Sequence, residues 1–80
     1  MKRTTIFLNT ISDVKNFVNI ACKYEFSADL VSGRYSVDAK SIMGIFSLDL
    51  SRPVDLEVHG GGESEYASFF EEIKPYIIKE

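Results

Sequence analysis

The sequence predicts an α+β fold, one antiparallel sheet with helices packed on one of its faces. Three observations point there. Strand-like and helix-like patterns follow one another in the order β-α-β-β-α-β-α along the 80 residues. The two middle strands are adjacent, which breaks the strict alternation of a parallel sheet. No Pro/Gly/Ser-rich linker and no solenoid-length repeat divides the chain, so residues 1–80 read as a single domain. Helices and sheets with one apolar side must bury that side, and two layers around one core achieve it.

Thr4-Thr5-Ile6-Phe7-Leu8 is β-branched and aromatic and reads as the first strand, ended by Asn9-Thr10. Ser12 or Asp13 can cap the first helix, because a side-chain oxygen there satisfies free N–H groups of the first turn. Val14, Phe17, Val18 and Ala21 then recur on one helical face, with Cys22 on or near it as a small hydrophobe. Glu25 to Val31 and Tyr35 to Asp38 flank Ser32-Gly33-Arg34, a hairpin whose glycine supplies the positive φ of a tight loop. Ser41 can cap a short helix carrying Ile42, Ile45 and Phe46. After the Arg52-Pro53 break, Val54, Leu56 and Val58 alternate with Asp55, Glu57 and His59, the period of a two-faced strand. Gly60-Gly61-Gly62 turns the chain into a last helix capped by Ser64, with Tyr66, Phe69, Phe70, Ile73 and Ile77 inward. Pro75 lacks an N–H and crowds the carbonyl of Glu71, which predicts a kink or an end near Lys74. The expected core joins Ile6, Phe26 or Leu30, Val37, Leu56 and Val58 to Val14, Phe17, Val18, Phe69, Phe70 and Ile73.

Composition excludes several functions. Lys and Arg number 9 against 12 Asp and Glu, a net charge of −3, which argues against binding a nucleic-acid backbone. The 45% hydrophobic content is ordinary for a globular chain and argues against disorder. One Cys cannot form an internal disulfide, and one Cys with one His cannot build a zinc site. No metal or cofactor is therefore expected. No apolar run reaches the roughly 18 residues needed to span a bilayer. Asn9, Thr10, Ser12 and Asp13 interrupt any signal core behind Lys2 and Arg3. These features predict a cytoplasmic domain that does not engage a membrane.

The stretch Asp38-Ala39-Lys40-Ser41-Ile42-Met43-Gly44-Ile45-Phe46-Ser47-Leu48 resembles the regulatory-site segment of the HPr family, the histidine-containing phosphocarrier proteins of the phosphoenolpyruvate-dependent sugar phosphotransferase system. The resemblance spans nearly the whole chain. Ala21 to Tyr24 is similar to the end of the family's first helix, and Gly33 falls one place from its hairpin turn. Val54 to His59 is similar to its last strand, and Ser64 to Ile78 to its last helix. It implies an open-faced sandwich, a four-stranded antiparallel sheet covered on one face by three helices.

The family carries its phosphoryl group on a histidine in a G-x-H-x-R-P motif before the first helix. A gapless alignment places Leu8-Asn9-Thr10-Ile11-Ser12-Asp13 there. Thr10 stands for the histidine, Ser12 for the arginine that steadies the phosphate, and Asp13 for the proline. The only histidine of the chain is His59. A neutral imidazole is nucleophilic near neutral pH, whereas a threonine hydroxyl is weak without an adjacent base. Asp13 would repel a phosphoryl group that an arginine would clamp. The resemblance thus implies a member without the family's catalytic residue, and not an enzyme.

Ser41 is then the main functional candidate. The resemblance implies a site for a serine kinase, whose phosphate creates a partner for a transcriptional regulator; the residues alone also fit a plain N-cap. Ile42, Met43 and Phe46 match a family surface that meets partner proteins. By spacing, Ile42 and Phe46 read as core and Met43 as an exposed contact. Thr10 and Ser12 fit either a vestigial partner-binding phosphate site or a capped loop with no ligand. His59 reads as a solvated surface residue, and Glu71-Glu72 as part of a solvated helix face. The glycine run lacks the Gly-Lys-Ser/Thr ending of a phosphate loop. The chain is expected to be a regulatory or adaptor domain acting on proteins of the phosphotransferase system, a serine kinase or a transcriptional regulator. A plain interaction module and a residual phosphocarrier using Thr10 or His59 are the alternatives.

Overall fold

The computed structural model describes residues 2–78. In chain order the elements are β1 (Lys2–Ile6), α1 (Ile11–Ala21), β2 (Ser27–Ser32), β3 (Tyr35–Asp38), α2 (Ile42–Phe46), β4 (Val54–His59), α3 (Glu63–Glu72) and a 3-10 turn over Lys74–Tyr76. The expected order holds. The strands form one antiparallel sheet in the spatial order β1-β4-β2-β3, with three helices on one face. This is the open-faced sandwich expected.

Register explains which side chains meet the helices. Ile6 pairs with Val54, Lys2 with Val58, Ala28 with Val58, and Leu30 with both Leu56 and Val37. Strand side chains alternate between faces, so Ile6, Ala28, Leu30, Val54, Leu56 and Val58 are all buried on one side. Val14, Phe17 and Ala21 of α1 and Tyr66 and Phe69 of α3, with Ile73 behind it, close over them. Phe26 and Leu30, set as alternatives from sequence, are both buried. Val18, Val37 and Phe70 are only partly buried; Val37 lies on β3, at the edge of the sheet, where the helical layer covers less.

Several local expectations need correction. The first strand runs over Lys2–Ile6, because beyond it the chain pairs with the C-terminal segment instead of the sheet. Phe7 N–H donates to the Tyr76 carbonyl at 2.8 Å, and Ile78 N–H donates to Thr5 at 3.0 Å. Thr10, not Ser12 or Asp13, caps α1. Gly62, not Ser64, precedes α3, and the Glu65 carboxylate reaches back to accept its N–H at 3.1 Å. Cys22 ends α1 and is exposed, not packed. Pro75 acts as read: α3 stops at Glu72 and the chain tightens into the 3-10 turn.

The other face of the sheet is polar and carries a charge cluster. Arg3 donates to Asp55 at 2.7 Å and lies 3.6 Å from Glu57, while the Thr5 hydroxyl donates to Asp55 at 3.1 Å. The hydrogen bond from Arg3 holds the Asp55 carboxyl below its ordinary range. A depressed acid stabilises the fold above its unfolded value, and that contribution disappears as pH falls through the folded value. Asp55→Asn should therefore lower the urea midpoint at neutral pH, with a gap that closes as pH falls below about 4. A gap that persists in acid would show that the charge plays no part.

Candidate functional site

Two helix starts carry the residues singled out from sequence. At the first, Thr10 is extended (φ −129°, ψ 164°), and its hydroxyl oxygen accepts the Asp13 N–H at 3.0 Å. The Thr10 carbonyl accepts the Val14 N–H at 3.1 Å. The Asp13 carboxylate in turn accepts the Asn9 N–H at 3.2 Å. Thr10 and Asp13 thus close the start of α1 on itself. Free N–H groups at a helix start attract anions, but here Asp13 already supplies a negative charge. Thr10 and Ser12 are exposed, and the Asp13 carboxylate is bonded to the Asn9 N–H, while the Thr10 hydroxyl oxygen is bonded to the Asp13 backbone N–H.

At the second, Ser41 caps α2. Its hydroxyl oxygen accepts the Gly44 N–H at 3.2 Å, its carbonyl accepts the Ile45 N–H at 3.0 Å, and its own N–H donates to Asp38 at 3.0 Å. A Cβ at Gly44 would lie 3.3 Å from both the Ser41 hydroxyl and the Val37 side chain, so the glycine lets the helix start sit tightly against β3. Lys40 fixes the approach to this cap. Its backbone N–H donates to the Asp38 carboxylate at 2.9 Å, and its ammonium donates to the Tyr24 carbonyl at 2.6 Å. No sequence pattern marks that second bond, because a distant carbonyl is available at any residue. Ser41→Ala should cost about 1 kcal/mol, as for other lost caps; a change within error in thermal unfolding would show the cap to be redundant.

The α2 surface differs from the reading by spacing. Ile45 takes the buried position and Ile42 is half-buried, but Phe46 is 41% exposed and Met43 77% exposed. Ile45 and Phe46 are consecutive and point about 100° apart around the helix axis, so with Ile45 turned inward Phe46 faces out. Ile42, Met43 and Phe46 thus share a partly apolar outer surface on a helix that packs beside α1. Among the described residues, no hydrogen bond joins Thr10 or Ser12 to Ser41.

His59 lies on the opposite side of the sheet from the helices, at the end of β4. Its Nε2 is 3.5 Å from Asp29 and 3.9 Å from Glu57, so it is flanked by carboxylates as well as solvent. Glu72 is also more engaged than its exposed neighbour Glu71. Lys23 and the Tyr24 hydroxyl both donate to it, and that hydroxyl lies 2.9 Å from the Ser68 hydroxyl. The bond from Lys23, then that from Tyr24, holds the Glu72 carboxyl below its ordinary range. This strut ties the end of α1 to α3. Among the described residues, no group of three or more His, Cys, Asp or Glu side chains is placed to hold a metal ion, and no helix is long and apolar enough to cross a membrane.

Known proteins share this fold. The sequence model of the family described as the PTS HPr component phosphorylation site matches residues 13–77. That match begins at Asp13, inside the first turn of α1. Eleven chains of solved structures are also similar. Among them, the crystal structure of HPr-C-His from Thermoanaerobacter tengcongensis is 29% identical, with 92% of each chain covered and a TM-score of 0.75. No curated protein matches the chain.

Proposed function

The chain belongs to the HPr family of the phosphotransferase system, and from that premise we propose that it is a regulatory or adaptor member that no longer carries phosphoryl groups on a histidine. The closed cap of α1 is the observation behind this reading. Where the family's motif has a nucleophilic imidazole and a phosphate-steadying arginine, this chain has the Thr10 hydroxyl engaged with Asp13 N–H and a carboxylate turned back on Asn9. A phosphoryl group arriving there meets a negative charge instead of an arginine, and a hydroxyl instead of an imidazole. His59 offers no substitute, since it lies across the sheet from both helix starts.

Ser41 carries the switch in this reading, and the surface of Ile42, Met43 and Phe46, with Thr10 and Ser12, carries the partner contacts. Met43 is exposed and adaptable enough to serve as such a contact. A phosphate on Ser41 would add about two negative charges at a half-buried cap. The partners are proteins of the phosphotransferase system, a serine kinase or a transcriptional regulator, met in the cytoplasm.

The test is a pair of labelling reactions read by mass spectrometry. With phosphoenolpyruvate and the system's first enzyme, no label should enter the chain. Acid-labile phosphate on His59, or any phosphate on Thr10, would overturn the loss of the carrier function. With ATP and the family's serine kinase, phosphate should enter at Ser41. Its absence at saturating kinase would remove the switch and leave a plain interaction module, whose partner binding Ser41→Ala and Ser41→Asp leave unchanged.

A further inference from the structure

A cleft of about 480 Å³ opens between the β2–β3 hairpin and the loop from α2 to β4, lined by Arg34, Tyr35, Ser47, Leu48, Asp49 and Arg52 among others. From it we propose a binding site for a small phosphate monoester that carries a flat ring, the chemistry of a nucleotide. The size falls within the range of small-molecule sites.

The charges of this cleft run against those of the molecule. The whole chain has a net charge of −3, yet the cleft brings two arginines against one carboxylate. Elsewhere Arg3 is held by Asp55 and Glu57, Lys23 by Glu72 and Lys40 by a carbonyl, while Lys2 has only a loose exposed pair with Glu63. Lys15 and Lys74 stand apart from one another, on α1 and in the 3-10 turn, without a carboxylate partner among the described residues. Arg34 has no carboxylate partner among the described residues. Arg52 has only Asp49, through Nε at 3.8 Å, and both side chains are mostly exposed. Such a pair is worth little and yields readily to a stronger anion.

Asp49 divides its two oxygens, Oδ2 facing Arg52 and Oδ1 taking two bonds from Ser51. Ser51 gives it both a backbone and a hydroxyl hydrogen bond, the N–H at 3.1 Å, and that hydroxyl first of all holds the carboxyl below its ordinary range. Among the described residues, the Arg34 guanidinium and the terminal nitrogens of Arg52, which meets Asp49 only through Nε, are left to a ligand. Their planar forks match phosphate oxygens two at a time, which a lysine cannot do.

The hairpin supplies the rest. Gly33, with φ +61°, is the first of only two loop residues, and Arg34 after it keeps a negative φ. That is the pattern of a type II′ turn, which fixes the direction of the chain. It sets Arg34 and Tyr35 side by side at the rim of the cleft. Tyr35 is 73% exposed, a large aromatic left without cover beside the arginines. A phosphate alone would leave it uncovered; a ring attached to the phosphate would stack on it. The buried Leu48 forms the apolar part of the lining. This site is made of residues other than Thr10 and Ser41 and does not depend on their role.

The test is an NMR titration of the full chain with adenosine 5′-monophosphate, ribose 5-phosphate and adenosine. The monophosphate should shift the amides of Gly33, Arg34, Ser47 and Asp49 saturably, with a Kd near or below about 1 mM. Arg34→Gln with Arg52→Gln should weaken it at least about tenfold, while unchanged amide dispersion elsewhere shows the fold to be intact. Tyr35→Ser should weaken the monophosphate but not ribose 5-phosphate. Shifts that never saturate, or that survive in the double arginine variant, would overturn the site. Adenosine binding as tightly as its monophosphate would overturn the anion chemistry, and ribose 5-phosphate binding as tightly would overturn the ring.

Discussion

Phe69→Ala should cost about 3–5 kcal/mol, the range for deleting a fully buried phenylalanine. Phe69 has no exposed surface. Its ring lies 5.2 Å from that of Phe26, 5.4 Å from Tyr24, 5.8 Å from Phe70 and 6.2 Å from Phe17, between centroids. It thus joins α3 to α1 and to the start of β2. A chain of 80 residues has a total stability of roughly 4–12 kcal/mol, so the loss is a large share of it, and at the low end of that range the variant unfolds at room temperature. Urea titration followed by circular dichroism reads the loss. Phe69→Leu, which keeps most of the volume, should recover more than half of it. A loss below about 1 kcal/mol for the alanine variant would mean that the aromatic cluster does not hold the layers together.

Gly61→Ala should be the second most damaging change, and its neighbour supplies the control. Gly60 and Gly61 both have positive φ, at +75° and +71°. An alanine at Gly60 would meet nothing within 4 Å, so only the left-handed backbone resists it, at about 1 kcal/mol. At Gly61 a Cβ would lie 3.1 Å from two atoms of Phe26. Phe26 cannot yield easily, since it packs edge-on against both Tyr66 and Phe69. Gly61→Ala should therefore cost about 2–4 kcal/mol, the backbone term plus overpacking. Equal losses at the two positions would show that the space beside Phe26 is free.

Most of the architecture was legible because period carries it. Val54, Leu56 and Val58 alternate, Val14, Phe17 and Ala21 recur at helical spacing, and each set is buried as read. The failures lie where local pattern competes with long-range contact. Thr4 to Leu8 looks like one strand, but the last residues are taken by the C-terminal segment, which no local window reveals. Phe46 has the right spacing for the core, yet the helix is turned so that its neighbour Ile45 takes the inward position and Phe46 faces out. Ser64 has a capping side chain, but Glu65 reaching back to Gly62 starts the helix earlier. At the candidate site, Ser41 was legible as a cap from its position alone. The Lys40 bond to Tyr24 was not, and neither was the cleft. Arg34 and Arg52 are far apart in sequence, and only the meeting of the hairpin with the following loop brings them to one lining.

The place of β4 between β1 and β2 has a consequence for how the molecule comes into being. Lys2 leaves the ribosome early, but the residue it pairs with is Val58. Only the β2–β3 hairpin can close from neighbouring residues. Every other pairing in the sheet waits for β4, which follows the hairpin and α2, and such long-range closures lower folding rates. A nascent chain halted before Val54 would have its hairpin and its first helices but no central strand to lie against. It should stay protease-sensitive on the ribosome and turn resistant only once β4 and α3, with Phe69, have both emerged.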